Sequence, residues 1–380
     1  MFMPFRKENT LVKAVNQTAI DLPVSSNLST FWNLGFLLSA TLMVQIITGI
    51  ILSSHYTANV ELALASINSH IGQDVNAGWL LRNLHANGAG ALFICMYLHM
   101  GRGMYLGSYA NKKAWMVGLS LMVLSMATAL LGYVLVWGQM SYWAATVITN
   151  LLTAISYVGT TLAQWTWGDY SVSNSTLNRL FSFHFVSPFI IAALTITHLI
   201  YIHETGSSNP TGLNSFSLKV PFHQYFTYKD AVALVIYFIL LGSLAFFMPA
   251  TLGDAENYNP ADALVTPAHI KPEFYFLWAY AILRSVPNKL GGVVAMFSAI
   301  ILLGVLPFIN NVKPGCSFCP VNQILLWVFV VNLFLLSYIG ACPVEAPYEN
   351  MGRVFSLVYF AFFIVDPFIK KKIHLDLMYK

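Results

Sequence analysis

Ten histidines occur in this 380-residue chain, and four of them sit inside long apolar runs. They fall into two pairs with the same spacing, His85 with His99 and His184 with His198, each fourteen residues apart. On an α-helix, fourteen residues turn through roughly 1400°, about 40° short of four full turns, and rise roughly 21 Å. Each pair therefore shares one helix face. An ionisable side chain in an apolar span is costly and is a functional candidate by default. A further apolar run separates the two pairs, so the two histidine helices run parallel if all three runs cross a membrane. His85 then faces His184, and His99 faces His198. Two facing imidazoles saturate haem iron, which leaves no open position for oxygen and favours electron transfer. Two such centres about 20 Å apart form a transmembrane electron path. A lone intramembrane histidine is more often a hydrogen-bonded packing residue, but that reading leaves two equal spacings unexplained.

The elements that must carry these histidines follow from composition. The chain is 57% hydrophobic and 9% charged, against roughly 25% charged in a soluble domain. It cannot cover its surface with polar groups, so lipid is its solvent, and apolar runs of this length in lipid are helices. Eight runs qualify, at about 32–53, 78–104, 114–135, 178–203, 229–248, 289–309, 321–341 and 350–369. The expected fold is an all-α membrane protein of eight transmembrane helices, the first four forming a di-haem four-helix bundle. Residues 1–210 form the bundle unit and 211–380 the remaining helices. Two long connections, 136–177 and 249–288, carry function on the usual behaviour of long loops. The first is rich in Trp, Tyr and Gly and suggests short interfacial helices; the second is punctuated by five prolines.

Eight spans put both termini on one side. Arg82, Arg179, Lys271, Arg284, Lys289 and Arg353 fall on the other side, and the remaining thirteen of nineteen Lys and Arg share the side of the termini. The positive-inside bias then places both termini on the negative, matrix-like side. No secretory or transit pattern precedes the first apolar run, and insertion from within the compartment of synthesis is expected. Of the four cysteines, Cys316 and Cys319 form a C-x-x-C pair with no further ligands nearby and no following His, so neither a zinc site nor covalent haem attachment is expected.

Glycines share the histidine period. Gly35 and Gly49 on the first span are fourteen apart, as are Gly118 and Gly132 on the third. Glycine pairs in spans commonly serve helix packing; here the shared period favours clearance for a flat macrocycle at two levels. Arg82 and Arg102 each lie three residues from a histidine of the second span, where they can meet haem propionates or act as interfacial anchors.

The chain resembles the cytochrome b family in its mitochondrial branch. The runs that carry the likeness are Ile20–Pro23, Arg82–Gly88, Gly101–Tyr109, Gly138–Ser141, Ala145–Leu152, His198–Gly206, Gly253–Glu256 and Pro272–Tyr275. The fourteen-residue spacing of His184 and His198 looks like that branch, since the photosynthetic relatives have one more residue there and a split chain. The resemblance implies two non-covalent b-type haems, with His85 and His184 at the positive-side, low-potential haem and His99 and His198 at the negative-side, high-potential one. It adds Gln45, Ser108, Trp115 and Pro188 to the haem contacts. It implies quinol oxidation on the positive side by a pocket of Glu273, Pro272, Phe274, Tyr275, Tyr280, Tyr133, Ala144 and Leu130. Glu273 is the expected general base, although a lone Pro-Glu-x-Tyr also fits a surface loop. Quinone reduction on the negative side falls to His203, Asp230, Lys229, Ser207 and Asn33.

The implied activity is that of the central subunit of a quinol–cytochrome c oxidoreductase running a Q cycle with ubiquinone, inactive alone. It implies a Rieske-type iron–sulfur protein, a c-type cytochrome and other complex III subunits as partners, a homodimeric complex, structural phospholipid and the mitochondrial inner membrane, with no nucleic acid. The chain departs from the family where Phe274 replaces the usual Trp, Val136 and Ser156 replace Pro, Ala144 replaces Gly and Leu130 replaces Phe. Changes of the last two types are ones the family associates with methoxyacrylate resistance. Three other readings stay open: a different two-haem membrane cytochrome, which would lack the 249–288 loop with Glu273; a haem-free proton transporter; and a structural membrane subunit.

Overall fold

The structure is a computed structural model and describes residues 4–212, 215–309 and 319–378, with side chains to Lys372. Cys316 and Lys313 lie outside the described residues. α1 (Phe5–Glu8) and α2 (Thr10–Ala19) precede β1 (Pro23–Ser25), which pairs antiparallel with β2 (Lys219–Pro221), Val24 opposite Val220. α3 (Asn33–Ser53) leads through α4 (Ala63–Ala65) and a π-helical turn (Ser66–Asp74) to α5 (Gly78–Tyr105) and α6 (Lys112–Val134). α7 (Gln139–Asn150) and α8 (Gly159–Trp167) fill the first long connection, ahead of α9 (Asn174–Thr205) and α10 (Tyr225–Phe247). α11 (Leu277–Ser285), α12 (Lys289–Ile309), α13 (Pro320–Ala341) and α14 (Tyr348–Met378) complete the chain.

Local chemistry sets where these helices start. Asn111 accepts from the Ala114 amide at 3.2 Å and opens α6. Ser173 and Thr176 form a reciprocal capping box that satisfies two otherwise orphaned amides at the head of α9. In the bundle, α3 packs on α5 and α9, α6 packs on α9, and α10 covers the outer side of α3 and α5. Large apolar side chains such as Phe183, Ile190, Ile196 and Ile200 remain exposed along α9. That outward apolar face suits lipid, where every helix hydrogen bond is satisfied within the helix.

Among the described residues, seven helices are long and apolar enough to cross a membrane: 30–53, 112–134, 174–205, 225–247, 289–309, 320–341 and 348–372. The remaining expected span is α5, 28 residues long. It falls short on composition, because it carries Arg82, Arg102, two histidines, Asn83 and Asn87 besides its glycines.

The C-terminal helices pack around α11, which touches α12, α13 and α14. Tyr359 is the largest fully buried side chain there; its ring stacks near Trp278 at 5.8 Å and its hydroxyl donates to the Ala299 carbonyl at 2.8 Å. Nearby, Lys370 and Asp366, both buried, pair at 2.6 Å. Asp366 also accepts from Asn322 Nδ2 at 2.7 Å, and Lys370 Nζ donates to the Tyr109 hydroxyl at 3.2 Å. This cluster ties α13 and α14 to the α5–α6 turn.

The expected spans match the helices within a few residues, and α7 and α8 meet the expectation for 136–177. Four features differ from the sequence reading. Residues 249–288 hold a nine-residue helix, α11, hidden by flanking prolines. α2 and the β1–β2 ribbon are too short and polar to stand out by periodicity. α14 runs on past the apolar segment to Met378.

Candidate functional site

The two histidine pairs meet as the helix arithmetic requires. His85 and His184 have ring centres 6.2 Å apart and nearly perpendicular, at 87°. His99 and His198 lie 6.4 Å apart at 61°. Two imidazoles on either side of one metal ion, each bonded at about 2.0–2.1 Å, would place their ring centres roughly 6 Å apart, so both gaps fit bis-imidazole ligation. Hydrogen bonds at the other ring nitrogen fix two of the rings. His184 Nδ1 lies 2.8 Å from the Thr128 carbonyl, which can only accept, so Nδ1 carries the proton and Nε2 is left to coordinate. His85 Nδ1 lies 2.9 Å from Thr48 Oγ1. Neither threonine was singled out in the sequence, and no local signal marks them.

Each glycine of the fourteen-residue pattern faces one of the four imidazoles. A Cβ at Gly132 would stand 2.5 Å from His184 Cε1, and at Gly49 3.1 Å from His85 Cε1. At Gly118 it would meet His198 Cε1 at 3.1 Å, and at Gly35 His99 Cε1 at 3.6 Å. The glycines thus make room for the ligand rings themselves. Among the described residues, Gln45 Nε2 and Arg102 Nε are buried without a hydrogen-bond partner, donors left over for a bound group. The donor set, the ring spacing and the glycine cradle fit haem at both levels.

Arg82 and Pro188 line the His85/His184 cavity, whereas Arg102 packs over the Trp32 ring at 5.1 Å. Trp115 donates to the Leu303 carbonyl at 2.7 Å and Ser108 pairs with Ser208 at 2.9 Å.

The cavity between His85 and His184 has a volume of about 300 Å³ and continues to Glu273, Phe274, Tyr275 and Tyr133. The His85/His184 pair and the candidate base therefore share one enclosure. A smaller space of about 210 Å³ adjoins it, walled by Tyr133, Asp254, Lys271, Pro272 and Glu273. Val136 lines the larger cavity, while Leu130, Ala144 and Tyr280 line neither; Ala144 is buried in α7. The two long connections close on each other to form this wall. Ser141 donates through its amide and its hydroxyl to Asn257 Oδ1, both at 2.9 Å, and Gln139 bridges to Val265 and Asp262 at 2.9 Å each.

Burial pushes the Glu273 carboxyl up to about 7, and the nearby Asp254 charge adds to the rise while Lys271 opposes it. A carboxyl with that affinity can take a proton near neutral pH. Lys271 is held 3.4 Å from Asp254. Asp254, nineteen residues away in sequence, was read only as part of a matching run; its place beside Glu273 depends on the folding of the loop.

At the opposite end of the bundle, Asn33 donates to Asp230 at 2.7 Å, joining α3 to α10. Lys229 donates to the Leu28 carbonyl beneath the β1–β2 ribbon. His203 is in the last turn of α9, five residues beyond His198, and Ser207 follows in the exposed connection.

A profile described as cytochrome b/b6/petB matches residues 19–206, and one described as cytochrome b (C-terminal)/b6/petD matches residues 260–360. A solved structure described as a hyperthermophilic respiratory Complex III superposes with a TM-score of 0.89 at 32% identity, covering 96% of this chain and 97% of that one. With its facing histidine pairs and these matches along its length, the chain belongs to the cytochrome b/b6 family and is an integral multi-pass membrane protein of respiratory electron transfer.

Proposed function

We propose that this chain is the central subunit of a quinol–cytochrome c oxidoreductase that oxidises quinol beside Glu273 and reduces quinone beside Asp230 and His203, in a Q cycle. The observation that carries the proposal is the pair of facing histidine couples, each lined by glycines of the same period. His85 with His184, and His99 with His198, would hold two non-covalent b-type haems. Bound there, these groups supply one-electron carriers with no open coordination position.

The other residues handle protons and placement. Glu273, at the wall shared with His85 and His184, accepts a proton from quinol, since its carboxyl is poised near 7. Tyr133, Phe274 and Tyr275 enclose it. At the other end, Asp230 held by Asn33, with Lys229 beside it and His203 across the bundle, delivers protons to quinone. Proton release and uptake on opposite sides contribute to a proton gradient. Residues 1–210 act as the di-haem unit, and 211–380 supply the base-bearing loop.

The activity requires an iron–sulfur partner of Rieske type and a c-type cytochrome, because the chain has neither a cluster-binding cysteine set nor a covalent haem motif. The proposed setting is the mitochondrial inner membrane with both termini on the matrix side, in a dimeric complex with structural phospholipid and ubiquinone as substrate. A reduced-minus-oxidised absorption spectrum of the purified complex tests the reading. Two b-type signals titrating at unequal potentials are expected; a spectrum without them refutes it.

A further inference from the structure

We propose that Tyr97, backed by Trp278, is a positioning residue that fixes the Glu273 loop to the helix carrying His85 and His99. The proposal rests on the reading of Glu273 as the quinol base. Counted from His85 at about 100° per residue, Gly90, Phe93 and Tyr97 lie roughly 80–140° round α5 from the histidine face. The loop lies on that second face. Phe274 packs against bare backbone at Gly90, where a Cβ would stand 3.1 Å from Phe274 Cε1. Phe93, fully buried, stacks on Tyr275 with ring centres 4.2 Å apart and planes 10° apart.

The polar contact is more specific than the packing. Tyr97 Oη donates to the Tyr275 carbonyl at 2.6 Å. Trp278 Nε1 on α11 donates to Tyr97 Oη at 3.1 Å, occupying a lone pair and leaving the single hydroxyl proton for the carbonyl. Phe276 N donates to the Glu273 carbonyl at 2.8 Å, so the tethered carbonyl belongs to the same tight turn as Glu273. Tyr97 lines neither cavity. Its effect on the reaction therefore runs through the loop and not through contact with quinol. One helix thus sets the position of two histidine ligands and of the proton acceptor.

The charged and titratable groups facing Glu273 are Asp254, Lys271, Tyr133 and Tyr275. None of them is removed by changing Tyr97. Tyr97→Phe keeps the ring and its packing, deletes the tether and removes the acceptor of Trp278 Nε1; Trp278→Phe keeps the tether but frees its direction. Both are made in the whole complex and compared with Glu273→Gln.

In Tyr97→Phe, quinol KM rises roughly three- to tenfold, the worth of one buried hydrogen bond. The acid limb of the pH–rate profile moves to lower pH as water reaches Glu273, and amide exchange across 273–277 quickens. Trp278→Phe shows the same changes at smaller size. Both haem absorption signals stay unchanged. A Tyr97→Phe complex with unaltered KM, pH profile and exchange overturns the proposal, as does one that loses the His99/His198 haem signal, which would make Tyr97 a support of its own helix. If Glu273→Gln is slow while Tyr97→Phe is unaltered, only the positioning role falls. If Glu273→Gln keeps full rate, the base assignment falls and takes this proposal with it.

Discussion

In the bundle, the important side chains are placed by repetition along straight helices. His85 and His99, His184 and His198, and the four glycines that face them all keep one period. In the segment 249–288, nothing repeats. Glu273 meets Asp254 through a bend and Tyr133 from the end of α6, and, two residues on, the Tyr275 carbonyl is held by Tyr97 of α5. The bundle tolerates little at its few fixed points and much elsewhere, whereas the loop depends on many contacts of moderate strength. The contrast teaches that the histidine and glycine geometry is set locally along each helix, whereas the surroundings of Glu273 are set by tertiary contact.

The sharpest way to break this comparison is to remove a ligand. His184→Ala is expected to abolish quinol oxidation and to delete one b-type signal while leaving the His99/His198 signal, as read by absorption spectroscopy. Loss of both signals would mean that the two levels are not independent.

Next in size, Glu273→Gln is expected to slow quinol oxidation by about 10²–10⁴-fold with both signals intact. The sign of the pH dependence follows from the carboxyl's affinity near 7. The base must be ionised to accept a proton, so the native rate climbs as pH rises through about 7, and the Gln variant loses that limb. A pH–rate profile of the same shape in both enzymes would remove Glu273 from the proton path.

The glycines grade the third effect. Gly132→Ala forces a methyl to 2.5 Å from His184, whereas Gly35→Ala leaves 3.6 Å at His99. The first is expected to destabilise the haem-loaded protein by about 1–3 kcal/mol and the second to be near neutral. Thermal unfolding of the two variants checks the order, and equal losses would break the link between glycine and ligand clearance.

The smallest effect is expected at Thr48→Val, which deletes the partner of His85 Nδ1. It should cost about 0.5–1.5 kcal/mol and shift the potential of the His85/His184 haem alone in a redox titration. A shift at the other level would mean that the two environments are electrostatically continuous.

The same contrast explains what the sequence made legible. Fourteen-residue spacing survives from sequence to structure because a helix is its own ruler, so the histidine pairing and the shared glycine period are legible in the sequence. The glycines' actual neighbours are not, because whether a gap serves the ring or the macrocycle depends on how far apart α3 and α5 lie. α5 illustrates a second limit. Its arginines, asparagines and histidines lower its apolarity below that of the seven obvious spans, although its length and partners place it at the centre of the bundle. α11 was hidden because Pro272 and Pro287 bracket it closely, and proline density reads as loop. Thr48, Thr128 and Tyr97 carry no motif; each matters only for the carbonyl or ring nitrogen that folding brings to it.

The buried Asp366–Lys370 pair has a consequence in time. Its contact with Tyr109 joins positions 261 residues apart. A ribosome adding roughly 5–20 residues per second needs on the order of ten to fifty seconds to cover that distance. The histidine helices α5 and α9 are both made before the last helix emerges. This join between α14 and the α5–α6 turn therefore closes only after both histidine helices are made, so truncating translation before Asp366 would leave both histidine pairs in place with this fastening unmade.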